Sequence, residues 1–351
     1  MAGPNKTPTR YIIYGAGSIG CAVGGFLTNS GCDVLFVARP NIATAIAAGF
    51  EIKAADAEIQ VQGDVVTNLD ETVIEPGDLI IITVKSQDTA AALDEISRKY
   101  QPSFGVVCLQ NGVSNEPMAS QIFTRVYGGL LLISTVQLEP QVVTMTGNRI
   151  AIGCYPDGAN HVAESLVADL GHAGFDAMVS PHVMALKWAK LIANLNNATH
   201  AITGYWLEKS AGDPEMRSLM AAVRQEGLAI LDAAGISVEP PDGERNPIRI
   251  RDETAKLGQP PPSNSENTPA LPKQGRTYPS MLQDLLLGRR ANEADFLNGA
   301  IVKLGDKLGL PTPYNRTLME TVHRMSNDKS LRPGFYSPTS LKELIEGRTP
   351  G

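Results

Sequence analysis

The sequence predicts an α/β N-terminal domain followed by an all-α C-terminal domain. Three observations carry that expectation. Short apolar runs alternate with helix-period patterns through the first half. The first run, Tyr11-Ile12-Ile13-Tyr14, feeds a glycine-spaced turn and then an amphipathic helix with Ile19, Val23, Phe26 and Leu27 on one side. From Pro181 the strand-like runs cease and long helical patterns take over. At 351 residues the chain exceeds one ordinary core, so two domains are expected, at 10–180 and 181–327. Residues 1–9 and 328–351 read as loose termini, and 240–279 as a proline-rich insertion.

Bulk properties remove several function classes. A net charge of −7 argues against a nucleic-acid footprint or an anionic membrane partner. The longest apolar run, Gly129 to Val136, is far too short to span a bilayer. The polar stretch Met1 to Arg10 lacks the apolar segment of a signal peptide, so a cytoplasmic location is expected. Cys21, Cys32, Cys108 and Cys154 lack C-x-x-C spacing and read as small core residues. The histidines show no ligand spacing, so no metal is expected.

The turn Gly15-Ala16-Gly17-Ser18-Ile19-Gly20 is G-x-G-x-x-G between a strand and a helix, the context in which it signals a Rossmann-type dinucleotide site. Gly15 permits the tight turn, Gly17 lets backbone approach a pyrophosphate, and Gly20 lets helix and strand pack closely. Helix N–H groups and the positive dipole end then face the phosphates. A second strand, Asp33 to Arg39, ends without the acid that would hold a ribose 2′-hydroxyl; no Asp or Glu occupies positions 34–40. Arg39 stands there instead, and its fork suits a 2′-phosphate, favouring NADP(H) over NAD.

Residues Ala43 to Ala48 suggest a short helix, and Glu51 to Val66 short strands or a hairpin. Leu79 to Val84 and Val106 to Leu109 read as strands buried on both faces. Lys85 and Asn111 follow them directly, at the carboxyl edge where open parallel sheets bind ligands. A solvated lysine at a helix start is the bland alternative for Lys85, but a cation there opposes the helix dipole and a bound anion explains it better; Asn111-Gly112 alone also reads as a turn pair. Further strand-like runs (130–133, 142–144, 150–152), a helix from Ala159 to His172 and a strand from Phe175 to Val179 complete the domain.

In the second half one helix is expected over Val183 to Leu207, carrying Lys190, Asn194 and Asn197 along one stripe. That stripe either lines a polar site or faces solvent. Pro214 to Ala234 is a second helix ended by Gly235. Helices resume at Ser280 to Asp284, with Ser280 a candidate cap, then Ala291 to Leu308 and Asn315 to Met325.

The chain resembles the ketopantoate reductase (2-dehydropantoate 2-reductase) family. The carrying segments are Gly15 to Gly20, Val84-Lys85-Ser-Gln-Asp-Thr89, Gln110-Asn111-Gly112, Lys187-Trp-Ala-Lys190-Leu-Ile-Ala-Asn194, Ser280-Met-Leu-Gln-Asp284 and Glu293-Ala-Asp295-Phe-Leu-Asn-Gly299. The resemblance implies a Rossmann domain plus an all-α domain, with NADPH reducing a 2-keto acid in a cleft between them, as in pantothenate biosynthesis. It implies Lys190 as general acid and Asn111 and Asn194 arranging substrate and nicotinamide. Ser280 would contact substrate, and Glu293 would hydrogen-bond near the lysine and substrate hydroxyls. Lys85 would line the cofactor–substrate edge, and Arg39 would meet the 2′-phosphate. The partner implied is a small 2-keto acid; a homodimer through the helical half is left open beside a monomer.

Three departures from the family pattern touch the substrate side. Ala198 stands where a second asparagine is common, with Asn197 a substitute from nearly the same face. One extra residue lies between Gly288 and Glu293, and the proline-rich insertion precedes Ser280. Two other readings are therefore carried: a paralogue reducing another 2-keto acid or an opine-type dehydrogenase, and a dinucleotide-binding sensor without turnover. Lys190, Asn194 and Glu293 together disfavour the sensor, which needs no acid beside its ligand.

Overall fold

Strand β1, Arg10–Tyr14, stands third from one edge of a ten-stranded mixed sheet in the computed structural model, which describes residues 10–55, 57–101, 104–239, 279–286, 288, 292–328 and 330–347. The other strands are β2 Val34–Val37, β3 Phe50–Lys53, β4 Glu58–Val61, β5 Asp64–Val66, β6 Asp78–Ile82, β7 Gly105–Cys108, β8 Arg125–Glu139, β9 Val142–Cys154 and β10 Asp176–Val179. Their order is β4-β3-β9-β8-β7-β6-β1-β2-β5, with β10 also paired to β9. From β5 through β2, β1, β6 and β7 to the start of β8 every pairing is parallel. This is the 3-2-1-4-5-6 order of a dinucleotide-binding fold. The antiparallel β8–β9 pair and the β3–β4 hairpin extend it.

Both faces of the parallel core are covered, which explains its unbroken apolar strands. Tyr11, Ile13, Leu79 and Ile81 enter one core with helices α1 (Ser18–Asn29), α2 (Pro40–Ala48) and α5 (His161–His172). Ile12, Tyr14, Ile80 and Ile82 enter the other, with α3 (Thr89–Lys99) and α4 (Asn115–Ser120). Asn160 caps α5 by accepting from the amides of Val162 and Ala163. The expected short runs within 130–152 are instead two long strands, β8 and β9, whose register shifts absorb the polar residues between those runs.

The chain divides into two compact units, Met1–Lys187 and Trp188–Gly351. The division falls inside α6, Val183–Asn194, whereas the sequence pattern changes at Pro181. The single helix expected to Leu207 is in fact α6, α7 (Asn196–Thr203) and α8 (Leu207–Gly212). Arg224 donates to the Ala193 carbonyl (3.3 Å) and Asn298 to that of Leu195 (3.1 Å). Side chains intruding on the helical ladder are a recognised cause of such breaks. Gly204, at φ +67°, then ends α7.

Helix α9, Pro214–Ala233, is capped by Asp213 and closed by Gly235 at φ +67°, with Ile236 N–H on the Leu231 carbonyl in a Schellman pattern. After α10, Ser280–Leu286, the helix expected from Ala291 is instead a 3₁₀ turn, Asn292–Asp295, followed by α11, Asn298–Leu308. Leu297, at φ −106° and ψ −85°, breaks the two apart, so Glu293 lies on the turn. Helix α12 spans Pro313–Asn327. The tail, expected to be loose from residue 328, holds α13, Pro338–Ile345. Ser337 caps it in a reciprocal box with Ser340, Leu341 is fully buried, and Lys342 Nζ donates to Ser218 Oγ at 3.1 Å. The expected arm at 1–9 and most of the insertion, residues 240–278, lie outside the described residues.

Candidate active site

In the first unit, register alone gathers the predicted residues on one sheet edge. Tyr14 pairs with Val37 and with Ile82, and Ile82 with Cys108, all in parallel. The segments beginning at Gly15, Ala38, Thr83 and Leu109 therefore leave the sheet side by side. The strand order reverses at β1 and β6, where open α/β sheets take their ligands. Arg39, Lys85 and Asn111 are all exposed there.

The three glycines serve two purposes. Gly15 sits at φ +95°, and an added Cβ would lie 2.8 Å from the Val84 backbone nitrogen. At Gly20 a Cβ would lie 2.7 Å from Thr83 Oγ1 and 2.9 Å from the Gly15 carbonyl. At Gly17 it would meet nothing nearer than the Gly15 carbonyl at 3.9 Å. The first and third positions are glycine because protein is in the way. The second is open toward solvent, a cradle that a side chain would fill and a pyrophosphate fits. Helix α1 starts with no side-chain cap on Gly17 and no acid in its first turn; half-buried Ser18 and Ile19 lead it, while Ala16 is buried. That leaves a positive helix terminus suited to a diphosphate. Arg39 precedes α2 in the N-cap position without a side-chain cap bond, two residues past the end of β2, the strand paired with β1. A dinucleotide bearing a 2′-phosphate fits this donor set.

The loops that carry Lys85 and Asn111 are cross-braced by a network that sequence reading missed. Ser86 Oγ donates to the Asn111 carbonyl (3.0 Å), and Asn115 Nδ2 donates to the same carbonyl (2.9 Å). Thr89 Oγ1 donates to Asn115 Oδ1 and accepts from Gln110 Nε2, both at 2.9 Å. Lys187 Nζ donates to the Gln110 carbonyl (3.0 Å) and pairs with the Glu116 carboxylate. Burial pushes the Glu116 carboxyl above its ordinary value, and the Lys187 ammonium pulls it back. The one sequence signal was a second lysine three positions before Lys190 on an apolar helix. The structure separates the two lysines: Lys187 is 4% exposed and committed to Glu116 and Gln110, whereas Lys190 is half-buried.

In the second unit, Asn194 and Asn197 are half-buried on either side of the α6–α7 junction. Leu195 keeps helical angles and its amide still bonds the Leu191 carbonyl at 3.0 Å, so Asn194 and Asn197 stay about one turn apart. Ala198 is fully buried. Ser280 is exposed as the first residue of α10, inside the helix instead of capping it, and α10 packs on α7. Glu293 is half-buried on its 3₁₀ turn, which packs on α11 and α12. Gly299 permits the close approach of α11 to α12, since a Cβ there would come within 3.1 Å of Met319 Sδ. His200 of α7 is buried, with Nδ1 donating to the Tyr205 carbonyl at 2.9 Å, and its burial holds the imidazole below its ordinary pKa. Among the described residues no group of three His, Cys, Asp or Glu gathers as a metal site, and no helix is long and apolar enough to cross a membrane.

Comparison with known proteins agrees across both halves. The family described as "Ketopantoate reductase PanE/ApbA" matches residues 11–157, and "Ketopantoate reductase PanE/ApbA C terminal" matches 182–326. The 2-dehydropantoate 2-reductase of Pyrococcus horikoshii is 32% identical over 324 residues, covering 89% of this chain and 96% of that protein. That of Archaeoglobus fulgidus is 28% identical, covering 89% and 96%. The crystal structure of a PanE/ApbA family ketopantoate reductase from Ralstonia eutropha JMP134 superposes with TM-score 0.75 at 28% identity, covering 92% of this chain and 99% of that one. A D-mandelate dehydrogenase solved with NADH and anilino(oxo)acetate shares the fold, at TM-score 0.75 and 23% identity over 91% and 98% of the two chains. With both halves matched and a near full-length relative at 32% identity, the chain belongs to the ketopantoate reductase family.

Proposed function

We propose that the protein reduces 2-dehydropantoate to pantoate with NADPH. The observation that carries this reading is the near full-length likeness to proteins named 2-dehydropantoate 2-reductase. The open cradle at Gly17 and the basic, acid-free end of β2 support the choice of cofactor.

When bound, NADPH supplies a hydride to the keto carbon. Backbone N–H groups of Ser18, Ile19 and Gly20 hold the pyrophosphate at the start of α1, and Arg39 holds the 2′-phosphate. Lys85 and Asn111 hold the cofactor–substrate edge at the ends of β6 and β7. As the carbonyl electrons move to oxygen, the Lys190 ammonium stabilises the growing negative charge and donates its proton there, giving the hydroxyl. Lys190 then regains a proton from solvent. Glu293 keeps that lysine charged and holds the substrate hydroxyls, while Asn194 and Ser280 orient the keto acid. Asn197 supplies the amide absent at position 198.

Alanine at position 198, where the family commonly has a second asparagine, favours one second reading, a 2-keto acid whose substituent asks for no hydrogen bond there. Initial rates of NADPH consumption with 2-dehydropantoate, pyruvate and bulkier 2-keto acids separate the two. The proposal expects the highest kcat/KM with 2-dehydropantoate. A higher value with another keto acid transfers the assignment to that substrate, and NADPH binding without turnover on any of them identifies a sensor. The proposal places this reaction in the cytoplasm, in a homodimer assembled through the helical unit; light scattering on the purified chain tests the assembly.

A further inference from the structure

We propose that Lys187 and Glu116 are a positioning pair that clamps the backbone on both sides of Asn111 for the reductase reaction. The inference rests on the reading above for its catalytic consequence, though its structural half stands alone.

Energetics make the pair conspicuous. Lys187 and Glu116 are 4% and 0% exposed, and the same helix buries Val183 and Leu186 beside them. A buried ion pair sacrifices the hydration of both charges, and well-packed apolar residues of similar volume are commonly as stable or more so. Stability alone is therefore a weak reason for two full charges here. What an apolar pair could not supply is the third contact, from Lys187 Nζ to the Gln110 carbonyl at 3.0 Å. That carbonyl belongs to the peptide immediately before Asn111. The carbonyl immediately after it, of Asn111 itself, accepts from Ser86 Oγ and Asn115 Nδ2 at 3.0 and 2.9 Å. The Gln110 side chain joins the two sides through Thr89.

Both peptide planes around one residue are thus held by buried side chains, while the side chain of that residue is exposed at the sheet edge. Glu116 lies on α4, directly after the Asn111 loop, so the pair also ties the start of that helix to α6. Contacts of this kind hold a group in productive geometry, and a displacement of about 1 Å costs on the order of 100-fold in rate. Lys187 and Glu116 touch no reacting atom; they act through Asn111.

The test is the full-length double variant Lys187→Met with Glu116→Leu, which removes both charges at similar volume. Three quantities are read: thermal midpoint, amide hydrogen exchange over 109–115 in the ligand-free protein, and kcat beside NADPH affinity. The proposal expects a midpoint at or above wild type, exchange faster by about tenfold or more, and kcat for 2-dehydropantoate lower by roughly 10–100-fold. NADPH affinity, which rests on the phosphates, changes by less than about threefold. Wild-type exchange and kcat in the folded double variant overturn it. If the double variant fails to fold, Glu116→Gln is read by the same exchange and kcat measurements, and wild-type values there overturn it equally. If the wild type itself turns over no 2-keto acid, the proposed reaction fails while the exchange result still decides the clamp.

Discussion

Asn298 donates from its side-chain amide to the main-chain carbonyl of Leu195, 3.1 Å away and 103 residues earlier in sequence. Asn298 lies five positions after Glu293, and Leu195 directly follows Asn194. One buried bond therefore joins the two segments of the helical unit that carry the proposed acid, its asparagine and its carboxylate. The same amide nitrogen reaches Asn315 Oδ1 at 2.9 Å, and Asn315 is in turn held by Glu226 at 2.8 Å. Asn298→Ala leaves two buried acceptors unpaired, at about 1–3 kcal/mol each. Urea unfolding of that variant is expected to show a loss of about 2–6 kcal/mol, and a loss near zero would mean the junction does not depend on this bond.

The glycine turn separates folding from binding. Gly20→Ala places a Cβ 2.9 Å from the Gly15 carbonyl and is expected to lower the melting temperature. Gly17→Ala meets nothing closer than 3.9 Å and should melt as wild type does while binding NADPH at least ~10-fold more weakly. Differential scanning fluorimetry and NADPH fluorescence titration on the two variants check this contrast. Unchanged affinity in Gly17→Ala would place the pyrophosphate elsewhere.

Arg39→Ala should weaken NADPH and spare NADH. A charge-assisted bond to a phosphate contributes about 1.5–3 kcal/mol, so the ratio of NADPH to NADH affinity falls roughly 10–100-fold. Titrating both cofactors in one buffer reads the ratio directly. An equal loss for both would assign Arg39 a part that does not involve the 2′-phosphate.

His200 gives stability a pH dependence of known sign. Burial holds its folded pKa below the ordinary value of 6.5. Unfolding therefore takes up a proton beneath that pH, so the stabilisation is complete above 6.5 and is lost as pH falls through the folded value. Melting temperatures from about pH 7 to about pH 5 should fall more steeply in wild type than in His200→Gln, which keeps a donor for the Tyr205 carbonyl. Parallel curves would show that this histidine is not buried neutral.

Much of the first unit was legible because its signals are local. Strand β6 carries the apolar run Leu79 to Ile82, and Gly15 and Gly17 sit between a strand and a helix whose third residue is Gly20. The helical unit was less legible because its breaks are imposed from far away. Nothing near Leu195 announces that Asn298 will take its carbonyl, and nothing near Glu293 announces that Leu297 will leave helical angles. The Lys187–Glu116 pair joins residues 71 apart, so the spacing of two lysines hinted at it without naming a partner. At the tail the signal was present and outweighed: Ser337-Pro338 is a sound helix start, but the polar run around it reads as loose chain.

The most direct test of the central claim compares wild type with Lys190→Ala, measuring NADPH oxidised and pantoate formed from 2-dehydropantoate beside NADPH affinity. The wild type is expected to form one pantoate for each NADPH oxidised. Loss of a general acid costs about 10²–10⁴ in turnover, so the variant is expected to lose that much kcat while its NADPH affinity stays within about threefold. Near-normal turnover in Lys190→Ala would contradict the account.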